Sequence, residues 1–216
     1  MKKQKALVLL DYGHGGVDYT GTYYCIAGGK LFKHPDGMIY EGVLNRTLGA
    51  AVEKQLDKLG IDYIVISDSL IDLPLKIRVR KANGHYLKNR KSFLVSLHCN
   101  ASIRHNAQGY EVYTSPGQTA SDKLAEYHYN FVTALLDNRV KMRSEMFTDG
   151  DRDKEAKFYI LTRTYCPAIL IEHLFFDHPE DVKLLQDKDI IKAFAESTAY
   201  ACKAFIEHQD ALNDDD

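Results

Sequence analysis

The chain has 216 residues and is 45% hydrophobic, enough for one domain with a full core and too short for two. Its 28 basic and 30 acidic residues leave a net charge of −2, which gives no electrostatic footprint for nucleic acid or an anionic membrane surface. Four cysteines, Cys25, Cys99, Cys166 and Cys202, are widely spaced with no CxxC pair, and read as free thiols of a chain made in a reducing compartment. No segment approaches the roughly 18 apolar residues of a membrane span, so no membrane insertion is expected. Behind the charged start Met1-Lys2-Lys3-Gln4-Lys5 the apolar run Ala6 to Leu10 is too short for the core of an export signal. The expectation is a chain made in the cytoplasm that reaches any extracytoplasmic target after release.

In chain order, Ala6-Leu7-Val8-Leu9-Leu10 reads as a buried strand of a parallel sheet, closed by Asp11-Tyr12-Gly13-His14-Gly15-Gly16. The connection from Val17 to Tyr40, with Tyr19, Tyr23, Tyr24 and the turn Pro35-Asp36-Gly37, is long for a compact domain, which points to a functional loop. Glu41 opens a helix in which Leu44, Leu48, Ala51-Val52, Leu56 and Leu59 recur at helical spacing, with Gly60 placed to cap it. A strand over Ile61–Ser67 and a helix from about Leu75 to Leu87 follow. The run Phe93-Leu94-Val95-Ser96-Leu97-His98 is again an apolar strand ending in a histidine.

Gly109–Thr114 alternates and reads as an edge strand, and Ala120–Asp137 as a helix. Lys141–Lys157 is charged and irregular, with a turn at Asp149-Gly150-Asp151. Phe158–Leu161 fits helix or strand equally. Pro167-Ala168-Ile169-Leu170-Ile171-Glu172 is an apolar strand ending in a carboxylate, and one or two helices cover Pro179–Gln209. The domain is taken as residues 1–209, with an acidic tail over 210–216.

Strands alternating with helices predict a single α/β domain whose twisted, mostly parallel sheet has helices on both faces. In such a sheet the carboxyl ends of the strands share one edge, so His14, His98 and Glu172 converge there, and Glu41 starts a helix leaving that edge. Two histidines and a carboxylate around an open position form the ligand set of a catalytic zinc. A second carboxylate then serves as base for metal-assisted amide hydrolysis.

The blocks Asp11-Tyr12-Gly13-His14-Gly15-Gly16, Glu41-Gly42 with Asn45-Arg46, Ser96-Leu97-His98-Cys99-Asn100-Ala101, Gly109-Tyr110-Glu111-Val112-Tyr113 and Pro167–Glu172 resemble, in this order, those of the zinc-dependent N-acetylmuramoyl-L-alanine amidases of the amidase-3 type. The resemblance runs from Leu7 to about Asp181. It implies that His14, Glu41 and His98 hold Zn2+, and that Glu172 is the catalytic base. It also implies a sheet of about six strands and cleavage of the amide between the lactyl group of muramic acid and L-alanine in peptidoglycan. The expected partner is therefore peptidoglycan, with no nucleic acid and a monomer favoured.

The chain departs from the family pattern in three places. Cys99 stands beside His98, and strand alternation assigns it to the core. After Glu172 comes His173-Leu174-Phe175-Phe176-Asp177-His178 in place of the usual residues, with His173 expected to face away from Glu172. The connection before Glu41 is longer than usual. His34, His85, His105, His128 and His208 read as surface or packing residues, while Arg143 and Arg163 are candidates to meet stem-peptide carboxylates. The preferred reading is a catalytic domain alone, as in a phage or prophage lysin. The alternatives are a zinc carboxypeptidase or deacylase acting on small amides, and a wall-binding domain without catalysis.

Overall fold

A computed structural model describes residues 4–26, 28, 30–35, 37–136, 138–145 and 150–214. Asp36 of the expected turn, Asp149 of the other, the end of the third helix at Asp137 and the last two residues of the tail lie outside them. In chain order the elements are β1 (Leu7–Tyr12), a hairpin of β2 (Leu31–His34) and β3 (Gly37–Tyr40), α1 (Glu41–Leu59), β4 (Tyr63–Val65), α2 (Leu75–Lys88), β5 (Ser92–Asn100) and β6 (Glu111–Thr114). Then come α3 (Ala120–Leu136), β7 (Lys154–Glu155), the single turn α4 (Tyr159–Thr162), β8 (Ala168–Phe175), α5 (Pro179–Gln186) and α6 (Lys188–Asp214).

Six strands form one sheet in the order β4-β1-β5-β8-β6-β7. The first four run parallel, and β6 pairs antiparallel to β8 and parallel to β7, so the expected mostly parallel sheet is observed with a reversed pair at one edge. From β1 the chain moves outward to β4 through α1 and returns through α2 to β5 on the other side of β1. The strand order therefore reverses at β1, and a crevice opens beyond the carboxyl ends there.

Alternation along the strands divides the core in two. Val8, Leu10, Phe93, Val95, Leu97, Ile169 and Ile171 face one side and pack with Leu48, Val52 and Leu56 of α1, Leu124 and Val132 of α3, and Phe194 and Phe205 of α6. On the other side Leu9, Leu94, Ala168 and Leu170 pack with Val79 and Ala82 of α2 and Ile160 and Leu161 of α4. This second layer is short, one helix of 14 residues and one of 4. Toward the carboxyl edge the same face of the strands carries the polar residues Ser96, His98 and Glu172.

Four expectations about elements are corrected. The strand ending in Glu172 continues to Phe175, because His173, Leu174 and Phe175 remain buried and a register shift between His98 and Asn100 lets β5 follow β8. The strand expected over Ile61–Ser67 shortens to Tyr63–Val65. The long connection contains the β2–β3 hairpin and an isolated bridge between Val17 and Tyr23, so it is folded. Finally, the last helix, expected to end at Gln209, continues to Asp214 as α6. Phe158–Leu161, ambiguous in sequence, is mostly the helical turn α4.

Candidate metal centre and active site

Glycine builds the first wall of the site by close approach. A Cβ on Gly13 would lie 2.1 Å from the His98 ring, and one on Gly42 would lie 1.8 Å from the Gly15 carbonyl oxygen. Both contacts are well below any real Cβ separation, so the loop after β1 can pass over His98 and under α1 only as glycine. Within that loop His14 adopts φ 62, a left-handed conformation for a non-glycine residue. Such backbone persists only where its surroundings over-determine it. Here the His14 carbonyl accepts from Arg46 Nη1 at 2.9 Å and the Gly13 carbonyl from Asn45 Nδ2 at 3.0 Å.

Three donors meet in front of this loop. Glu41, in the first turn of α1 and fully buried, places Oε1 2.9 Å from His98 Nδ1 and Oε2 3.3 Å from His14 Nε2. The two imidazole rings lie edge to face with centroids 5.2 Å apart. Together the three residues offer ligand atoms close enough for one metal ion. His14 Nε2 and Glu41 Oε2 are buried 3.3 Å apart without hydrogen-bond geometry, with Lys30 Nζ 3.4 Å from the same Glu41 oxygen, and a metal cation between them would satisfy both. Two nitrogens and one carboxylate oxygen suit zinc. Burial opposes ionisation of Glu41, yet the imidazoles of His14 and His98 beside it hold its carboxyl well below the usual range, so it stands as the carboxylate a metal requires.

Glu172 pairs with His98 in the β5–β8 register, and paired residues present their side chains on one face of a sheet. The expected convergence of His14, Glu41, His98 and Glu172 at one edge is thus what the topology produces, although Glu172 lies within its strand. Its Oε2 is buried without a hydrogen bond. Burial, reinforced by the charges of Glu41 and Glu111, pushes this carboxyl well above its ordinary range, while Lys30 draws it down. A buried carboxyl with a raised pKa has the character of a general acid–base group.

Several charged neighbours carried no role in the sequence reading. Lys30, just before β2, lies 3.4 Å from Glu41 Oε2. Glu111, paired across β8 with Glu172, is buried and takes Lys154 at 3.1 Å, Asn100 at 3.1 Å, Tyr113 at 2.6 Å and also Arg143. Arg143 is therefore engaged by Glu111, and Arg163 lies over the Tyr159 ring. Arg78 is buried between Asp11 at 3.2 Å and Asp72 at 2.6 Å. A carboxylate inside the alternating run of β6 was the one sequence signal for Glu111. No periodic signal marks Arg78, which joins Asp72, six residues before it, to Asp11 of β1.

As expected, Cys99 is buried in the core, and all four cysteines are free. His173 is buried with Nδ1 3.1 Å from the His98 carbonyl oxygen, so it buttresses the backbone of β5 from the opposite face. His128 is buried too, between the Tyr110 hydroxyl at 2.6 Å and Thr198 Oγ1 at 2.9 Å. Beside the donors lies an open, largely apolar cavity of ≈ 520 Å³ walled by Ile26, Leu73, Pro74, Leu75 and Tyr159, with His14, His98, Asp72 and Arg78 at its polar end.

A doubly wound α/β domain with a His-Glu-His donor set and a buried carboxylate at its switch point is the framework of a single-metal hydrolase. The chain matches the Amidase_3 family, described as N-acetylmuramoyl-L-alanine amidase, over residues 8–204, and belongs to it. It is 24% identical over 94% of its length to the N-acetylmuramoyl-L-alanine amidase AmiC of Neisseria meningitidis, and 25% identical over 89% to the endolysin of Bacillus phage SPP1. The chain spans 53% and 63% of the lengths of those two relatives. Among solved structures, an N-acetylmuramoyl-L-alanine amidase from Clostridium difficile 630 superposes with a TM-score of 0.74 at 24% identity, covering 95% of this chain and 98% of that one. That similarity establishes the fold.

Proposed function

We propose that the chain is a zinc-dependent peptidoglycan amidase that hydrolyses the amide joining the lactyl group of N-acetylmuramic acid to L-alanine, with residues 1–209 as its catalytic unit. Family membership over residues 8–204 supports the activity. The observation that carries the chemistry is the convergence of His14, Glu41 and His98 within reach of one metal ion, beside Glu172 on the neighbouring strand with its Oε2 buried and free of hydrogen bonds.

His14, Glu41 and His98 hold the zinc. When bound, zinc polarises the amide carbonyl and lowers the pKa of a water molecule toward neutrality. Glu172 takes the proton from the attacking water and delivers it to the departing alanine nitrogen, a transfer suited to a carboxyl whose pKa is raised by burial. Arg46 and Asn45 hold the loop that carries His14, and Asn45 Nδ2 also lies 3.4 Å from Glu41 Oε1, so they orient two of the three ligands. The apolar wall formed by Ile26, Leu75 and Tyr159 receives the methyl-bearing lactyl and alanine groups. The phage endolysin among the relatives supports action on the cell wall after release from the producing cell.

Mass spectrometry of material released from purified peptidoglycan tests this reading. Free stem peptides with an alanine amino terminus, beside glycan strands of unchanged length, are expected. Turnover of free peptides without any release from the wall would instead select a carboxypeptidase or deacylase. Binding to the wall without either product would select the non-catalytic domain.

A further inference from the structure

The catalytic donors use one nitrogen of His14, and the other faces a second cluster. Nδ1 lies 3.9 Å from Cys25 Sγ and 3.7 Å from Asp72 Oδ2, and these three atoms lie mutually within 4.8 Å. The donors come from three separate stretches: the loop after β1, the connection before β2, and the segment leading into α2. The edges of a metal tetrahedron with bond lengths of about 2.0–2.3 Å measure about 3.3–3.8 Å, so the imidazole–carboxylate and imidazole–thiol separations need only small adjustment.

We infer that His14 Nδ1, Cys25 Sγ and Asp72 Oδ2 form a second metal site for a borderline-soft divalent ion such as zinc, cobalt or cadmium. The donor chemistry points there, since a thiolate with an imidazole and a carboxylate favours these ions over magnesium or calcium. The frame around it is already ordered. Asp72 is held by Arg78 at 2.6 Å on Oδ1 and by the Ile26 amide at 2.9 Å on Oδ2, leaving Oδ2 a further lone pair. His14 is fixed by its left-handed backbone and by Arg46. Cys25 is only half-buried and free, and the cavity lined by His14 and Asp72 provides entry.

Binding of the second ion releases two protons, one from the Cys25 thiol and one from His14 Nδ1, and leaves an imidazolate shared between the two sites. The shared ring gives the site its consequence: the second ion withdraws electron density from a ligand of the first. Excess zinc therefore inhibits the enzyme through Cys25. This assignment goes beyond the amidase reading, and its test is read without substrate.

The experiment is a Co2+ titration of the chelator-treated whole chain, followed by near-ultraviolet absorption. The His14–Glu41–His98 set contains no sulfur, so the first equivalent should add no thiolate-to-cobalt charge-transfer band and the second should add one. Cys25→Ser should take up a single equivalent with no band, and Asp72→Asn should weaken the second equivalent at least tenfold. With hydrolysis as a separate readout, excess zinc should inhibit the original chain about tenfold or more and leave Cys25→Ser unaffected. Absence of a second equivalent, its arrival without the band, two equivalents in Cys25→Ser, or a band on the first and only equivalent would each overturn the proposal. Loss of hydrolysis with the two-step titration intact would instead count against the amidase reading alone.

Discussion

The two faces of the sheet are built from the same strands and do different work. On one face the strands present Val8, Leu10, Phe93, Val95, Leu97 and Ile171 to three long helices, and the pattern stays apolar to the carboxyl edge. On the other, two helices of 14 and 4 residues pack on the strands, and beyond Leu94 and Leu170 the strands carry Ser96, His98, Glu172 and Glu111. The well-covered face supplies stability and rigidity. The sparsely covered face leaves ionisable groups in a partly desolvated crevice, where they are costly to fold and chemically useful. Rigidity crosses between them at two points: His173 on the covered face bonds the carbonyl of His98, and Gly13 packs on the His98 ring.

If the division is right, substitutions on the two faces separate activity from stability. The largest effect is expected from Glu172→Gln, which should lower kcat by about 10³-fold or more through loss of the base while the melting temperature stays within a few degrees of the original. Phe194→Ala, which opens a void under α6 against His173 and Tyr110, should cost about 3–5 kcal/mol in urea unfolding. Specific activity per folded molecule should remain. A result in which Phe194→Ala abolished activity without unfolding would break the comparison.

Gly13→Ala tests the bridge between the faces. Its Cβ displaces the His98 ring, so zinc affinity in a competition titration should fall about tenfold or more, with a smaller change in stability. The mildest test is pH. Burial holds the His128 imidazole well below its usual pKa of 6.5, so the folded chain keeps it neutral where the unfolded chain takes up a proton. Its contribution to stability is complete above pH 6.5 and is lost as the pH falls toward the depressed folded value, by about 1.4 kcal/mol per pH unit. His128→Gln should flatten that part of the stability profile by about one proton, leaving the remaining slope to other groups such as His173, which burial pushes down to about 4.

What was legible in the sequence follows the same division. Apolar runs ending in histidine marked β1 and β5, helical spacing marked α1, and the order of the elements indicated a shared carboxyl edge, because hydrophobic periodicity is a local signal. Glu172 was read as a strand end because its carboxylate breaks an apolar run. In the fold it continues the strand, since its neighbours across the ladder are His98 and Glu111 and not core. The hairpin β2–β3 was missed because its four-residue strands are half-exposed and barely alternate. The links of Arg78 to Asp11, of Glu111 to Arg143 and Lys154, and of Cys25 to His14 join residues brought together by topology, and single charges or thiols leave no periodic trace.

The division of labour proposed for the site, three residues on the metal and a fourth on the proton, is decided by measuring tightly bound zinc and stem-peptide release on the same preparations of the original chain and Glu172→Gln, purified without excess zinc. About one tightly bound zinc per chain is expected in both, with peptide release only from the original. Loss of zinc together with activity in Glu172→Gln would instead make Glu172 a ligand, and undiminished release would remove it from the reaction.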